Sequence, residues 1–350
     1  MLRSDRRLKL RQWALAVCIN FGAALVAVAA FAVWRHFEPA PARLARIEGT
    51  IQQGFLEPAD DVGFIPIANK RVTAREMAGD RQLYNVTYTI GPDHFRIVPD
   101  ALPNSESCLL VFGDSFTFGE GVNDSETYAA QIVLKGAGKI AVQNLAIGGW
   151  GPHQFLAGLQ SGRFRHAVRC KPTDATFLMI PPHIYRVQGA SSWDKHGPRY
   201  RLGADGRPVR DGNFDAPSRF NWRPLLGLNP MRDDEAAELT AAVILEAVRE
   251  LGNQFAGIRF HFIAWNNDGA PMETTRHIEE RLVAAGIIPH PIEAILPRFH
   301  YVRDNYVTDP LDTHPNVRAH ARIANYVIRE IMHPALQETP STVSHWPEHR

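Results

Sequence analysis

At 350 residues, 45% of them hydrophobic and 21% charged, the chain is long enough for one substantial core with appendages and too apolar for extended disorder. Its formal net charge of +1 excludes a strongly basic nucleic-acid binder and a receptor for polyacidic partners. Three cysteines are too few for a disulfide framework, and the fifteen histidines include no His-Glu-x-x-His pair or Cys/His cluster, so neither a metal nor another cofactor is expected.

The chain opens with a basic segment, residues 1–12, that carries Arg3, Arg6, Arg7, Lys9 and Arg11. An uncharged apolar run from Trp13 to Trp34 follows, long enough to cross a hydrocarbon layer of about 30 Å as a helix. Tryptophan at both ends suits the headgroup level, and the basic cluster favours the cytoplasmic side. Residues 13–34 are therefore expected to form a transmembrane signal anchor, with the N-terminus cytoplasmic and everything after Arg35 outside, in the periplasm of a cell that has one. A cleaved secretory signal is the competing reading. Ala27, Ala29, Ala30 and Ala32 permit it, but the run exceeds the roughly 7 to 15 residues of a signal core. Either way the rest of the chain is exported. Cys18, within the run, is an ordinary small apolar position.

Residues 35–104 read as a stalk and a small β-rich lead-in. Pro39, Pro41 and Pro58 mark the stalk, and "RVTAREMAGDRQLYNVTYTIGPDHFRIVP" alternates as strands do, with a Gly-Pro-Asp turn. No chemistry of its own is expected of this part. From 105 to 335 short apolar strands at 108–112, 140–147, 175–180 and 258–265 alternate with helices at 127–134, 236–251 and 273–285. That alternation predicts an α/β fold, a mostly parallel sheet covered on both faces. Residues 189–234, rich in Gly, Pro, Arg, Asp and Trp without periodicity, read as an insertion over one end of the sheet, and 336–350 as a polar tail. Cys108 and Cys170 each precede a strand; they either pair in an oxidising compartment or stand as two separate thiols.

"LLVFGDSFTFGEGV", residues 109–122, places Ser115 where a buried strand stops. In parallel α/β sheets ligands bind beyond the carboxyl ends of the strands. The following "FTFGEGVNDSETY" leads into a helix, so backbone N–H groups near Ser115 can point toward an anion forming on a substrate attached to its oxygen. A serine hydroxyl needs a base, and the base needs a group that orients it. "DPLDTHPNVRAHARIANYVIREI" supplies one pair, Asp312 and His314, ahead of a helix that docks through Val317, Ile323, Val327, Ile328 and Ile331. An Asx turn with an incidental histidine is the plain alternative. "QNLAIGGWGPHQ", residues 143–154, closes a strand at Asn144 and continues with Gly148, Gly149 and Gly151; the Gly149 N–H is either an oxyanion donor or part of a tight turn.

In chain order "GDSFTFGEGV", "NLAIGGWG" and "DTHPN" resemble the blocks of the SGNH hydrolase superfamily, the GDSL-type lipases and esterases, over roughly Ser107 to Met332. The resemblance implies a three-layer α/β/α sandwich on a flavodoxin-like sheet. It also implies Ser115 as nucleophile, His314 as general base and acid, Asp312 as its orienting partner, and the Ser115 and Gly149 amides as oxyanion donors. Asp114, Trp150 and His153 are then candidates for the pocket wall. One block departs from the family pattern: in place of Gly-x-Asn-Asp after the third strand the chain reads "ATFLMIPPHIYRV". His183 falls where the asparagine would be; it either donates one hydrogen bond there as a neutral imidazole or is an ordinary turn histidine, and it ranks ahead of Asn266 in the later "AWNND" for the role. Trp150, Trp193, Trp222 and Tyr185 are either sugar-stacking faces or satellite packing. The expected function is hydrolysis of an ester through an acyl-serine, with an O-acetyl group on an envelope polysaccharide as first substrate. Transfer of the acyl group to a sugar hydroxyl by the same triad is the second reading, and a catalytically silent carbohydrate-binding assembly protein the third.

Overall fold

The computed structural model describes residues 45–102, 105–216, 221, 223–265 and 272–332, with single helical positions at 13, 17, 20, 22, 26 and 28. The apolar run 13–34 therefore lies mostly outside the described residues, as does the tail 336–350. Among the described residues no helix is long and apolar enough to cross a membrane. The chain divides into two compact units, Met1–Leu44 and Ala45–Arg350, and every element below belongs to the second.

Part of the expected stalk is sheet. Strand β1 (Ala45–Glu48) pairs antiparallel with β4 (Arg71–Ala78), which pairs with β5 (Arg81–Thr89); β2 (Leu56–Ala59) and β3 (Gly63–Pro66) form a separate hairpin. The period-2 pattern explains β4, where Val72 and Ala74 are buried while Arg71, Thr73 and Arg75 face water. Ile47, Ile51 and Phe55 from the presumed stalk pack against that buried face, which is why the chain folds back here instead of leading away.

The central sheet begins with β6 (Ser107–Phe112), followed by the short helix α1 (Ser115–Phe118) and by α2 (Tyr128–Lys135). Next come β7 (Ile140–Asn144), α3 (Pro152–Gln160), β8 (Asp174–Met179), α4 (His183–Val187), a hairpin of β9 (Pro198–Leu202) and β10 (Pro208–Asn213), α5 (Asp233–Gln254), β11 (Arg259–Ala264), α6 (Met272–Ala284) and β12 (Pro289–Pro291). The five strands lie in the order β12-β11-β8-β6-β7, every neighbouring pair parallel. Counted along the chain that is 2-1-3-4-5, the flavodoxin-like order, with its switch point between β6 and β8. All six residues of β6 are buried because both faces are covered. Leu110 and Phe112 face a cluster with Phe155, Phe164, Phe177 and Val243; Leu109 and Val111 face one with Tyr128, Ile132, Ile263 and Ile323.

All four anticipated strands are present. The fifth, β12, is only three residues with two prolines at the sheet edge, too short and too proline-rich to show a period. Cys108 and Cys170 form a disulfide, Cα atoms 6.1 Å apart, that ties the start of β6 to the approach to β8. The insertion 189–234 does not only overhang the sheet end. Its hairpin lies along α3 and α5, with the Tyr200 hydroxyl 2.7 Å from Gln160 Oε1 and Arg207 paired with Glu246 at 2.5 Å.

After the sheet comes an antiparallel ribbon of β13 (Val307–Asp309) and β14 (Asp312–Pro315), then helix α7 (Val317–Tyr326). Asn316 caps α7 by accepting from Ala319 N at 3.0 Å and also donates to Val307 O at 2.8 Å, so one side chain fixes the helix start and the ribbon together. Ile323, Val327 and Ile331 dock as the apolar spacing predicts; Val317, in the first turn, is exposed.

Candidate active site

Ser115 sits just past the carboxyl end of β6, at the switch point of the sheet. Gly113 has φ 150°, and a side chain there would collide with Thr117, so the sharp exit from the strand requires glycine. Asp114 then caps α1, accepting from Phe116 N at 3.0 Å through Oδ1. Its other oxygen lies 2.7 Å from Arg186 Nη1 and 3.3 Å from His183 Nε2. Burial would raise the Asp114 carboxyl, but Arg186 and His183 outweigh it and hold the group well below the usual carboxylate range.

The serine hydroxyl meets the ribbon from the other end of the sequence. His314 Nε2 lies 2.9 Å from Ser115 Oγ, and His314 Nδ1 lies 2.5 Å from Asp312 Oδ1. The same Asp312 oxygen accepts from the His314 backbone N at 3.2 Å, and Thr308 Oγ1 donates to the His314 carbonyl at 3.1 Å, which fixes the imidazole plane. Ser115 is 5% exposed and the His314 side chain 23%, so solvent reaches the pair from the imidazole side. The Ser115 and Gly149 N–H groups have no backbone or side-chain acceptor among the described residues. Gly149 has φ 84°, and its position is walled by Phe64 and Trp193.

Several expected pocket residues are supports instead. His183 is wholly buried; its Nδ1 accepts from Ile180 N at 3.4 Å and its Nε2 faces Asp114, so it is spent behind the serine and does not point at an oxyanion. His153 is equally buried and lies 2.7 Å through Nε2 from Asp194 Oδ2, pinning the insertion to the start of α3. Trp150 is 2% exposed and donates to Phe64 O at 3.0 Å; like Asp114, it does not line an open wall. Trp193 is the exposed aromatic at this edge, 57% exposed, with Nε1 donating to Gly149 O at 3.2 Å and its ring over Arg186. Asn266 and Trp222 lie outside the described residues.

Two acids at the site carried no flag. Glu76 of β4, from the lead-in expected to be inert, lies close enough to Asp312 for the two carboxyls to shift one another. Glu76 Oε2 and Asp312 Oδ2 are buried and meet no hydrogen-bond partner among the described residues. Two adjacent buried carboxylates do not both ionise readily. Burial and Asp312 push the Glu76 carboxyl well up, while for Asp312 burial is outweighed by the bond to His314, which holds it down. Of the two, Glu76 is thus the carboxyl that favours the proton and Asp312 the one that favours the charge. Glu120, in the loop after α1, has Oε2 3.5 Å from His314 Nε2. An acid between two glycines five positions after the serine was visible in "GDSFTFGEGV"; Glu76 offered no local signal.

Burial alone would lower the His314 pKa, but Glu120 first and then Asp312 raise it from 6.5 to about 9. Among the described residues no group of three or more His, Cys, Asp or Glu side chains is arranged to hold a metal ion.

The sheet order and the meeting of the three blocks at its carboxyl edge accord with the fold that the resemblance to the SGNH superfamily implies. No family model matches the chain, and no curated protein matches it. Solved structures similar to it include a lipolytic protein of the G-D-S-L family from Desulfitobacterium hafniense, at 12% identity over 64% of this chain and 98% of that one, TM-score 0.42. A catalytic mutant of an acetylxylan esterase from Geobacillus stearothermophilus aligns at 16% identity over 64% of this chain and 94% of that one, TM-score 0.39. An acetyl xylan esterase from Butyrivibrio proteoclasticus aligns at 14% identity over 65% of this chain and 64% of that one, TM-score 0.37.

Proposed function

We propose that the chain is a serine esterase of SGNH type that cleaves an acyl ester, first of all an O-acetyl group on an envelope polysaccharide. The observation that carries the reading is the run of contacts from Asp312 through His314 to Ser115 at the sheet's carboxyl edge. In acylation Ser115 Oγ bonds to the ester carbon as His314 Nε2 takes the hydroxyl proton. The negative oxygen that forms is held by the Ser115 and Gly149 N–H groups. As the carbon–oxygen bond to the alcohol breaks, the imidazolium returns its proton to the departing oxygen. Water then repeats the steps in reverse, releasing the acid and restoring the serine. Trp193 beside Gly149 offers a flat apolar face to a sugar ring. Export to an oxidising compartment is supported by the Cys108–Cys170 disulfide and by the basic segment followed by the apolar run 13–34, which serves as membrane anchor with the catalytic unit in the periplasm.

Covalent labelling by a neutral fluorophosphonate, run on wild type and Ser115→Ala together with release of acetate from p-nitrophenyl acetate, tests the reading. Wild type should label and hydrolyse; Ser115→Ala should do neither, and an active Ser115→Ala sinks the proposal. The pH dependence follows from the raised His314 pKa. Below about pH 9 the imidazole keeps its proton and cannot act as base, so the labelling rate should climb up to there instead of levelling off near 6.5.

A further inference from the structure

The reaction fixes where the alcohol half of an ester must lie. The carbonyl oxygen turns toward the Ser115 and Gly149 amides, so the leaving oxygen, which receives its proton from His314 Nε2, lies on the imidazole side. Glu120 Oε2 is 3.5 Å from that same nitrogen, and its side chain is 26% exposed. Gly119, with φ 89°, and Gly121, with φ 81°, set the turn on which Glu120 stands, and the loop is held from below: the buried Arg96 binds the carbonyls of Gly119 and Val122, and Tyr88 OH accepts from Gly121 N at 3.0 Å. The carboxylate is therefore presented at a fixed point beside the leaving oxygen.

The other charges nearby are already matched. Asp114 is answered by Arg186, and Asp312 by His314, while the Glu76 carboxyl behind it is pushed up toward its neutral form by burial. Arg96 is bound to Asp124, His320 is held neutral by burial at a pKa of about 3, and Tyr84 and Tyr88 are kept protonated by burial. Glu120 is thus the charge that an incoming alcohol group meets once the imidazole is neutral.

We propose that Glu120 selects the alcohol side of the ester, accepting a hydrogen bond from a hydroxyl next to the leaving oxygen and turning away alcohols that carry an anion. The substrate class is then an ester of a neutral, hydroxyl-bearing alcohol, such as an uncharged sugar, and not of a uronic acid. The inference rests on the acyl-serine reading above.

The probes are 4-acetoxybenzamide and 4-acetoxybenzoate, which share the acyl group and differ by one charge on the alcohol. With the full-length chain the neutral ester should have a kcat/KM about tenfold higher, a ratio that shrinks as ionic strength rises. In Glu120→Gln the ratio should fall to within about twofold, carried by a lower KM for the benzoate, while the rise of labelling rate with pH moves to lower pH. Glu120→Asp, which keeps the charge, should keep most of the preference. A salt-independent wild-type ratio, or one unchanged in Glu120→Gln, overturns the inference and leaves the esterase standing. Absence of both labelling and hydrolysis in wild type instead sinks the esterase reading, and the inference with it.

Discussion

Removing the His314 imidazole should lower kcat for ester cleavage by about 10⁶, and adding Ser115→Ala to His314→Ala should cost nothing more. The two atoms form one unit: without a base 2.9 Å from its oxygen, the Ser115 hydroxyl keeps its proton, and without the hydroxyl the base has nothing to activate. What survives is the catalysis supplied by binding and the oxyanion amides, roughly 10³ to 10⁴ over water. Asp312→Asn should be milder than loss of the histidine. Both His314 Nδ1 and the His314 backbone N–H point at Asp312 Oδ1, so an asparagine would be turned with its carbonyl oxygen there and its amide toward Glu76. The tautomer that leaves a lone pair on Nε2 is then kept, and what is lost is the negative charge that steadies the imidazolium. Single-turnover rates with p-nitrophenyl acetate on the two single variants and the double variant check the unit directly; a double variant slower than either single by tenfold or more would mean that Ser115 and His314 act independently.

How much of this was legible follows the physics of each part. Strands β6 and β8 are buried along their whole length, and buried parallel strands announce themselves as unbroken apolar runs, so "CLLVF" and "ATFLMI" could be placed from composition. Asp312 and His314 were legible because a Pro-Asn helix start follows them; that they stand on a ribbon and not a loop was not, since β13 and β14 are three and four residues long. His183, His153 and Trp150 were misplaced for one reason. A histidine or tryptophan in the turn after a strand looks the same whether it faces the ligand or the core, and only the partners, Asp114, Asp194 and Phe64 O, distinguish them. Glu76 was invisible because its partner is more than two hundred residues away and its own strand is an ordinary amphipathic one.

Arg96→Met should lower stability by about 3 to 5 kcal/mol and Tm by on the order of 10 °C, with loss of labelling at Ser115 at temperatures where the wild type is intact. Arg96 is 2% exposed and uses all five of its N–H donors: Nε on Asp124, Nη1 on the Phe118 and Gly119 carbonyls, and Nη2 on the Thr87 and Val122 carbonyls. Its guanidinium is packed against the rings of Tyr88 and Phe118, 4.6 and 4.9 Å from their centres. Methionine fills much of the volume but leaves four buried carbonyls and the Asp124 carboxylate with fewer partners, and each such loss is costly in a dry site. The acceptors span β5 and the loop after α1, so the lead-in hairpin and the Ser115 loop are joined through this one side chain. Arg81 adds a second clamp, binding Asp309 on β13 at 2.7 and 2.9 Å, so the same hairpin also grips the ribbon that carries His314. Lysine cannot rescue, because one ammonium has three donors at a point and no plane to lie against two rings. Thermal unfolding of Arg96→Met and Arg96→Lys beside wild type, with fluorophosphonate labelling at 25 °C, decides it: variants as stable and as reactive as wild type would mean that the lead-in sheet is an appendage after all, and a shared loss of both would make it part of the floor on which Ser115 and His314 meet.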